Sequence, residues 1–408
     1  MAKGETDMSE RTDFSVTRAE ALELLLKAWN PKDEGEWISL EKALGRVTAK
    51  PLYSRNTMPV YRISQADGIA VRSADFINGL PDTLRWVKGV DYVQADTGDD
   101  FPDEFDTIIP VEEIYYDSNN RLGLAEGFIF KKGDCVGEAG TAVRQGDLIV
   151  EAHVRLTPLH LAMLALGGIY QLEVIRKPKV IYIPTGSELI HAGIKPERGQ
   201  TIESNSLMVA ALLEQWGAEV ACYPIIKDKP EELAEALDKA LMTADLVLIN
   251  GGSSKGVEDF NTGLLEKKAD LFQHGIKAVP GRPVGIAMIG GKPVINLPGP
   301  TFAAFLAMDW CVCGLVHHYY GLPAPRRPKL RVSLTKPLQK WPDYETYVRL
   351  ILARRDGSYE ATPLGWDQNL PDSLLKMNAL FIAPIGVSEY QVCDEVEAEL
   401  LCGPEHLV

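Results

Sequence analysis

The chain has 408 residues, 46% of them hydrophobic, and carries 57 acidic against 42 basic side chains for a net charge of −15. At roughly 150 residues per domain this predicts two to four domains, each able to bury its own core, and it excludes a disordered chain. The acidic balance repels a phosphate backbone and an anionic bilayer, which sets aside nucleic acid and membrane surfaces as partners.

Six cysteines, Cys135, Cys222, Cys311, Cys313, Cys393 and Cys402, are too scattered for a disulfide framework and lack zinc-site spacing. Reduced thiols and a cytoplasmic address are the expectation. Residues 1–13 are polar and mixed in charge, without the apolar core of a secretory signal, and read as a loose tail. The apolar stretch Phe302 to Val316 approaches the length of a membrane span, but Asp309 in its middle favours a buried globular helix.

Thr17 and Glu20 form a Thr-x-x-Glu capping box ahead of Ala21, Leu22, Leu24, Leu25 and Leu26, predicting a helix that ends near Asn30-Pro31. A short helix at Ser39–Leu44 follows, closed by Gly45. From Pro51 to about Gly146 turn residues recur about every 8–12 positions between brief apolar runs such as Ile108-Ile109 and Phe128-Ile129-Phe130, the grammar of a β-rich module. Thr157-Pro158, an N-cap with proline at the first helical position, opens a helix that stops at Gly167-Gly168.

Residues 179–321 alternate apolar strands with longer helices. Val180–Ile183, Val220–Ile226, Leu246–Ile249, Val284–Ile289 and Val294–Leu297 read as strands, with helices from Asn205 to Trp216, from Pro230 onward, and after Pro300. Strands so continuously apolar belong to a parallel-type sheet covered on both faces, so this is a three-layer α/β domain. After a proline-rich linker from Pro323, strands at Leu330–Leu334, Tyr347–Leu352, Tyr359–Pro363, Leu380–Ala383 and Val396–Leu400 compose a small barrel or sandwich.

Ligands of an open α/β sheet bind at the carboxyl ends of its strands, so the turns that follow them are the candidates. They are Thr185-Gly186-Ser187-Glu188, Gly251-Gly252-Ser253-Ser254 with Gly256 beyond it, Pro280-Gly281-Arg282 and Pro298-Gly299-Pro300. Glycines let backbone N–H groups converge on an anion, although a plain strand-to-helix turn has the same composition. Glu188, Asp228 and Asp259 each follow a strand; carboxylates beside an anion cradle make sense around a divalent cation, while singly Asp228 and Asp259 read equally well as helix N-caps. The histidines His274, His317 and His318 read as structural or solvated, with His274 in a loop, and neither a nucleophile elbow nor a zinc-protease motif is present.

With these residues in place, the chain resembles the molybdopterin molybdenumtransferase family (MoeA), whose eukaryotic relative is the gephyrin E domain. Gly251 to Asp259 looks like the family's Gly-Gly-x-Ser-x-Gly-x-x-Asp signature, Thr185 to Leu189 resembles Thr-Gly-Asp-Glu-Leu, and Glu203-Ser204-Asn205 resembles Asp-Ser/Thr-Asn. Ser64 to Ala70 is similar to Ser-x-Met-Asp-Gly-Tyr-Ala, and Asp96-Thr97-Gly98 to Met-Thr-Gly. Departures stand at Ala66, Ile69, Cys135, Val279 and Pro300, the last two removing a lysine and an asparagine from the family pattern.

The resemblance implies a helical linker domain of residues 14–50 with 145–176, an inserted β-rich lobe of 51–144, the α/β molybdopterin-binding domain of 177–322, and a C-terminal β-barrel of 323–408. It implies a homodimer in which Asp67 and Thr97 complete a catalytic set with Glu188, Asp228 and Asp259, Mg²⁺ being held by Glu188 and Asp259. Thr185, Gly186, Ser187, Gly251, Gly252, Ser253, Ser254, Gly256, Lys277, Arg282, Pro298 and Gly299 would bind the anionic substrates, molybdate and adenylylated molybdopterin. The implied reaction releases AMP, and other cofactor-biosynthesis proteins are further candidate partners. The alternative is a non-catalytic member that carries pterin or finished cofactor on a dimeric scaffold.

Overall fold

The computed structural model describes residues 16–32, 34–251, 260–355, 357–365 and 371–403. They form two compact units, one of residues 35–175 and one made of the flanking segments on either side.

In the flanking unit the first helix, α1 (Arg18–Ala28), begins with the expected reciprocal capping box between Thr17 and Glu20. It packs on the helix that ends at Tyr319, where His318 Nε2 meets the Trp29 carbonyl at 3.0 Å, so it belongs to this unit. The apolar side of its repeat, Ala21 and Leu25, is fully buried there. Its place here is set by that packing, since capping and periodicity define a helix without saying what its face will cover.

Six strands build the central sheet: β1 (Lys179–Pro184), β2 (Glu219–Cys222), β3 (Leu246–Asn250), β4 (Leu271–His274), β5 (Gly285–Ile289) and β6 (Lys292–Leu297). Their order is β2-β1-β3-β6-β5-β4. Strands β2, β1, β3 and β6 are parallel, and β5 runs against both of its neighbours. The sheet is therefore mixed at one edge. The reversal comes from the two-residue turn Gly290-Gly291, whose positive φ angles of 55° and 75° fit the twist of a tight hairpin. β4 was not foreseen, and His274 ends that strand instead of sitting in a loop; Leu271-Phe272-Gln273-His274 is too short and polar to announce itself.

Helices α2 (Asn205–Trp216), α3 (Pro230–Thr243) and α4 (Phe260–Lys268) cover the sheet. α2 stops at Gly217 with φ 93°, the left-handed cap that glycine takes without strain. Between Ile181, Ile183, Val247 and Ile249 of the strands and Leu233, Leu237, Ala240 and Leu265 of the helices lies a continuous apolar core. The helix Thr301–Tyr319 has the length and composition of a membrane span, but 72% of that window is buried inside the protein, as expected for a core helix. Its one internal acid, Asp309, is satisfied by Arg327, with Nη1 at 2.8 Å.

The C-terminal strands β7 (Lys329–Leu334), β8 (Glu345–Arg355), β9 (Ser358–Pro363), β10 (Ala379–Ala383) and β11 (Glu395–Leu400) pair in the order β8-β9-β7-β11-β10. β10 also pairs with β8, which closes the sheet into a barrel and decides the barrel-or-sandwich alternative. Alternate residues Val332, Leu334, Val348, Leu350, Leu352, Val396 and Ala398 fill it.

The unit of residues 35–175 holds an antiparallel pair, Gly35–Ser39 with Gln171–Ile175, and the helix Pro158–Leu166 capped by Thr157. The expected helix at Ser39–Leu44 is a single 3-10 turn, Leu40–Lys42. Its β-rich part centres on a three-stranded antiparallel sheet, Gly68–Val71 between Tyr92–Ala95 and Thr107–Pro110. Ile69, Val71, Phe76, Tyr92, Ile109 and Leu122 form the core on one side.

Candidate active site

Above the carboxyl ends of β1, β3 and β6 the protein opens a cleft of about 940 Å³. Thr185 and Glu188 after β1, Asn250 and Gly251 at the end of β3, and Pro298 and Gly299 after β6 line it, together with Pro280, Gly281 and Pro283. The strand-end rule thus places these predicted residues on one wall.

The turns approach one another closely. Gly251 has φ +115°, and a Cβ there would overlap the Thr185 carbonyl oxygen, so only glycine lets these two turns meet. Asn261 ties the same point: its Nδ2 donates to Gly251 O at 2.7 Å and to Thr185 Oγ1 at 3.1 Å. At Gly186 the Glu188 carboxylate folds back over the backbone, which leaves no room for a side chain.

Asp228 does not cap α3, whose N-cap is Lys229 without a side-chain hydrogen bond. Its carboxylate accepts from the Ser187 N–H at 2.7 Å, and the Asp228 N–H donates to Ser187 Oγ at 3.1 Å. Asp228 therefore fixes the turn that carries Glu188. Lys227 adds to this by donating to Ser187 O at 3.1 Å.

The two predicted cations lie elsewhere. Arg282 is exposed and its guanidinium stacks 5.4 Å above the Tyr344 ring, while Lys277 runs beside β8, its carbonyl accepting from Glu345 N, and its charge lies beside Glu20. In their place the cleft is lined by Arg349, from the middle of barrel strand β8. Arg349 is 4% exposed, stacks 5.3 Å from the Phe302 ring and donates to Gly365 O at 2.9 Å. Burial pulls its pKa down from the ordinary arginine value, yet a guanidinium keeps its proton in such a setting. Sequence reading missed it; the signal was a lone arginine inside the apolar run Tyr347-Val348-Arg349-Leu350-Ile351-Leu352.

Glu203 was quoted only as part of a motif, and it too lines the cleft. It accepts from Ser206 N at 2.9 Å, bracing the start of α2, and its Oε1 lies 3.2 Å from the Tyr182 hydroxyl oxygen. Burial, followed by the Glu203 charge, pushes the Tyr182 phenol well above its ordinary range, so it stays a hydrogen-bond donor. The strands Leu189–His191 and Thr201–Glu203, also unforeseen, bring Ile202 and Gln200 to the same wall.

Asp67 and Thr97 belong to the other unit, where the Thr97 N–H donates to Asp67 Oδ1 at 2.7 Å. That bond holds the Asp67 carboxyl below the usual aspartate range. Ile69 fills the lobe core, and Cys135 sits at φ 53° against the cluster of Phe101, Phe105 and Ile108. Gly252, Ser253, Ser254, Gly256 and Asp259 lie outside the described residues. Among the described residues no three His, Cys, Asp or Glu side chains gather tightly enough to hold a metal on their own.

Residues 16–168 match the family model for the MoeA N-terminal region (domain I and II), and residues 181–318 match that for a probable molybdopterin binding domain. The chain belongs to the MoeA family. Among its MoeA relatives, the molybdopterin molybdenumtransferase of Bacillus subtilis is 26% identical over 387 residues, covering 90% of each chain. That of Haemophilus influenzae is 28% identical over 305 residues, covering 72% of this chain and 75% of the relative. Of the solved structures, the molybdopterin biosynthesis MoeA protein from Pyrococcus horikoshii OT3 matches at TM-score 0.74 and 25% identity, over 95% of this chain and 100% of that one.

Proposed function

We propose that this MoeA-family chain is a molybdopterin molybdenumtransferase of molybdenum cofactor biosynthesis, which inserts molybdate into adenylylated molybdopterin and releases AMP. The observation that carries the reading is a single cleft lined by both a buried guanidinium, Arg349, and an open carboxylate, Glu188. Both substrates are anions. A guanidinium in a poorly solvated wall attracts them more strongly than an exposed lysine does, and its planar fork matches two oxygens of a tetrahedral oxyanion.

A carboxylate facing anionic substrates requires a cation between them. Glu188 fits one ligand of Mg²⁺, which takes one or two carboxylates and completes its shell with water and phosphate oxygens, whereas the absence of a three-ligand cluster among the described residues fits zinc poorly. Glu188 and Asp259 would hold the ion, and when bound it neutralises phosphate charge. The chain's own residues do the placing: Asp228 and Lys227 fix the Ser187–Glu188 turn, Asn261 joins it to Gly251, and Arg349 fixes the anion opposite. Pro298 and Gly299 form the wall between.

In this reading the protein works in the cytoplasm as a homodimer, and Asp67 and Thr97 act in the site of a second copy; other cofactor-biosynthesis proteins would exchange substrate and product with it. Calorimetric titration with adenylylated molybdopterin and Mg²⁺, followed by AMP detection after molybdate is added, tests the proposal. Binding with AMP release is expected. Binding without release would turn the reading to the carrier alternative, and no binding would defeat both.

A further inference from the structure

The turn Pro298-Gly299-Pro300 on the cleft wall has few ways to be held. Neither proline has an N–H, so Gly299 supplies the turn's one backbone donor, and the turn must be fixed through its carbonyls. The Pro300 carbonyl accepts from Ala304 N at 2.9 Å, and the other two go to buried amides. Asn250 Nδ2 donates to Pro298 O at 2.7 Å and to Leu297 O at 3.3 Å, and Asn205 Nδ2 donates to Gly299 O at 2.8 Å.

The acceptor side of Asn250 is equally occupied. Its Oδ1 accepts from Tyr182 OH at 2.8 Å and from Asn205 Nδ2 at 2.9 Å, so every hydrogen-bonding position of this amide is filled. Turned over, the amide would set oxygen against two carbonyls and N–H groups against two donors, which fixes its orientation. Its backbone carbonyl accepts from Thr185 N at 2.8 Å and Thr185 Oγ1 at 3.1 Å. One residue, 4% exposed at the end of β3, thereby joins the turns that follow three strands.

We propose that Asn250 is a positioning residue for the transfer reaction, holding the Pro-Gly-Pro turn at the depth at which the cleft binds its anionic substrates. This rests on the functional reading above. The role belongs to the amide's two donors, which no hydroxyl or carboxylate replaces.

Asn250→Asp separates that role from simple packing. It keeps the shape and the acceptor side; protonated, it returns one donor to Pro298 O, and ionised it sets negative charge against two carbonyl oxygens. The kcat/KM for AMP release, taken as a ratio to wild type at each pH, is expected to fall about tenfold between about pH 6 and about pH 8, with KM for molybdate carrying the change. A ratio flat across pH, or a loss confined to kcat, overturns the proposal.

Hydrogen exchange of Asn250→Ala gives a second readout that needs no activity. The Ala304 amide, which donates to Pro300 O, is expected to exchange at least about tenfold faster while those of 246–249 keep their protection. Unchanged exchange at the turn, or uniform acceleration through the sheet, also overturns it. Wild-type protein that releases no AMP would defeat the functional reading alone, and the exchange result would still decide whether Asn250 holds the turn.

Discussion

The strand-end rim of the α/β sheet and the three-stranded lobe around Gly68 present their polar groups differently. At the rim the polar residues buried beneath the turns are amides: Asn205, Asn250, Asn261 and Asn296 are all nearly fully buried, the charged Glu188 and Asp228 stand outside them, and the buried charge, Arg349, comes from the barrel strand β8. In the lobe the one acid of interest, Asp67, is exposed and held by a single backbone N–H above an apolar core. Burying an amide costs far less than burying a carboxylate, even where one atom, such as Asn205 Oδ1 or Asn296 Nδ2, is left without a partner, so a deep wall can be shaped by asparagines while the acids stay where a ligand arrives. The lobe needs no such network, because its acid stands exposed just before the sheet's central strand.

The sharpest way to break this comparison is through the acids. Glu188→Ala and Asp259→Ala are each expected to abolish AMP release, by about 10³-fold or more, while size-exclusion chromatography shows an intact dimer. Unchanged release in both variants would remove the rim from the chemistry. Next in size is Arg349→Met, for which steady-state kinetics should show KM for molybdate raised by about a hundredfold; Arg349→Lys should recover only part, since an ammonium lacks the planar fork.

Two glycine substitutions test both regions with one lesion. A Cβ at Gly251 would overlap the Thr185 carbonyl, and one at Gly68 would overlap the Ile109 carbonyl. Gly251→Ala and Gly68→Ala should each destabilise their unit by about 2–4 kcal/mol in denaturant melts, and a change within experimental error in either would mean that the backbones do not meet so closely. The smallest effect concerns Asp67. Its folded pKa is lowered, so the stability it contributes is present above the ordinary aspartate value and is lost as pH falls through the lowered one. An NMR titration should find its midpoint below that of a free aspartate, and Thr97→Pro, which deletes the N–H, should bring it back.

Much of the architecture was legible. The barrel strands fall within three residues of their expected limits, and the caps at Thr17, Thr157 and Gly217 are where local chemistry put them. The cleft wall made by Thr185, Glu188, Gly251, Pro298 and Gly299 was legible too, because parallel strands send their following turns to one edge. The cations were not. Lys277 and Arg282 came from the resemblance around Pro280-Gly281, yet neither lines the cleft and the Arg282 guanidinium stacks on Tyr344, whereas Arg349 arrives from the C-terminal barrel.

The sequence by itself determined most of the strands and helices and the acidic turns, since these are set by the spacing of apolar residues, glycines and caps along a few neighbouring positions, and its motifs carried the resemblance to the family. Only the tertiary structure decided that Asp228 braces Ser187 instead of capping a helix, and that a barrel arginine would face the strand-end turns. Those outcomes depend on contacts between residues a hundred or more positions apart, or on which of two equally satisfying hydrogen-bond partners packing brings within reach.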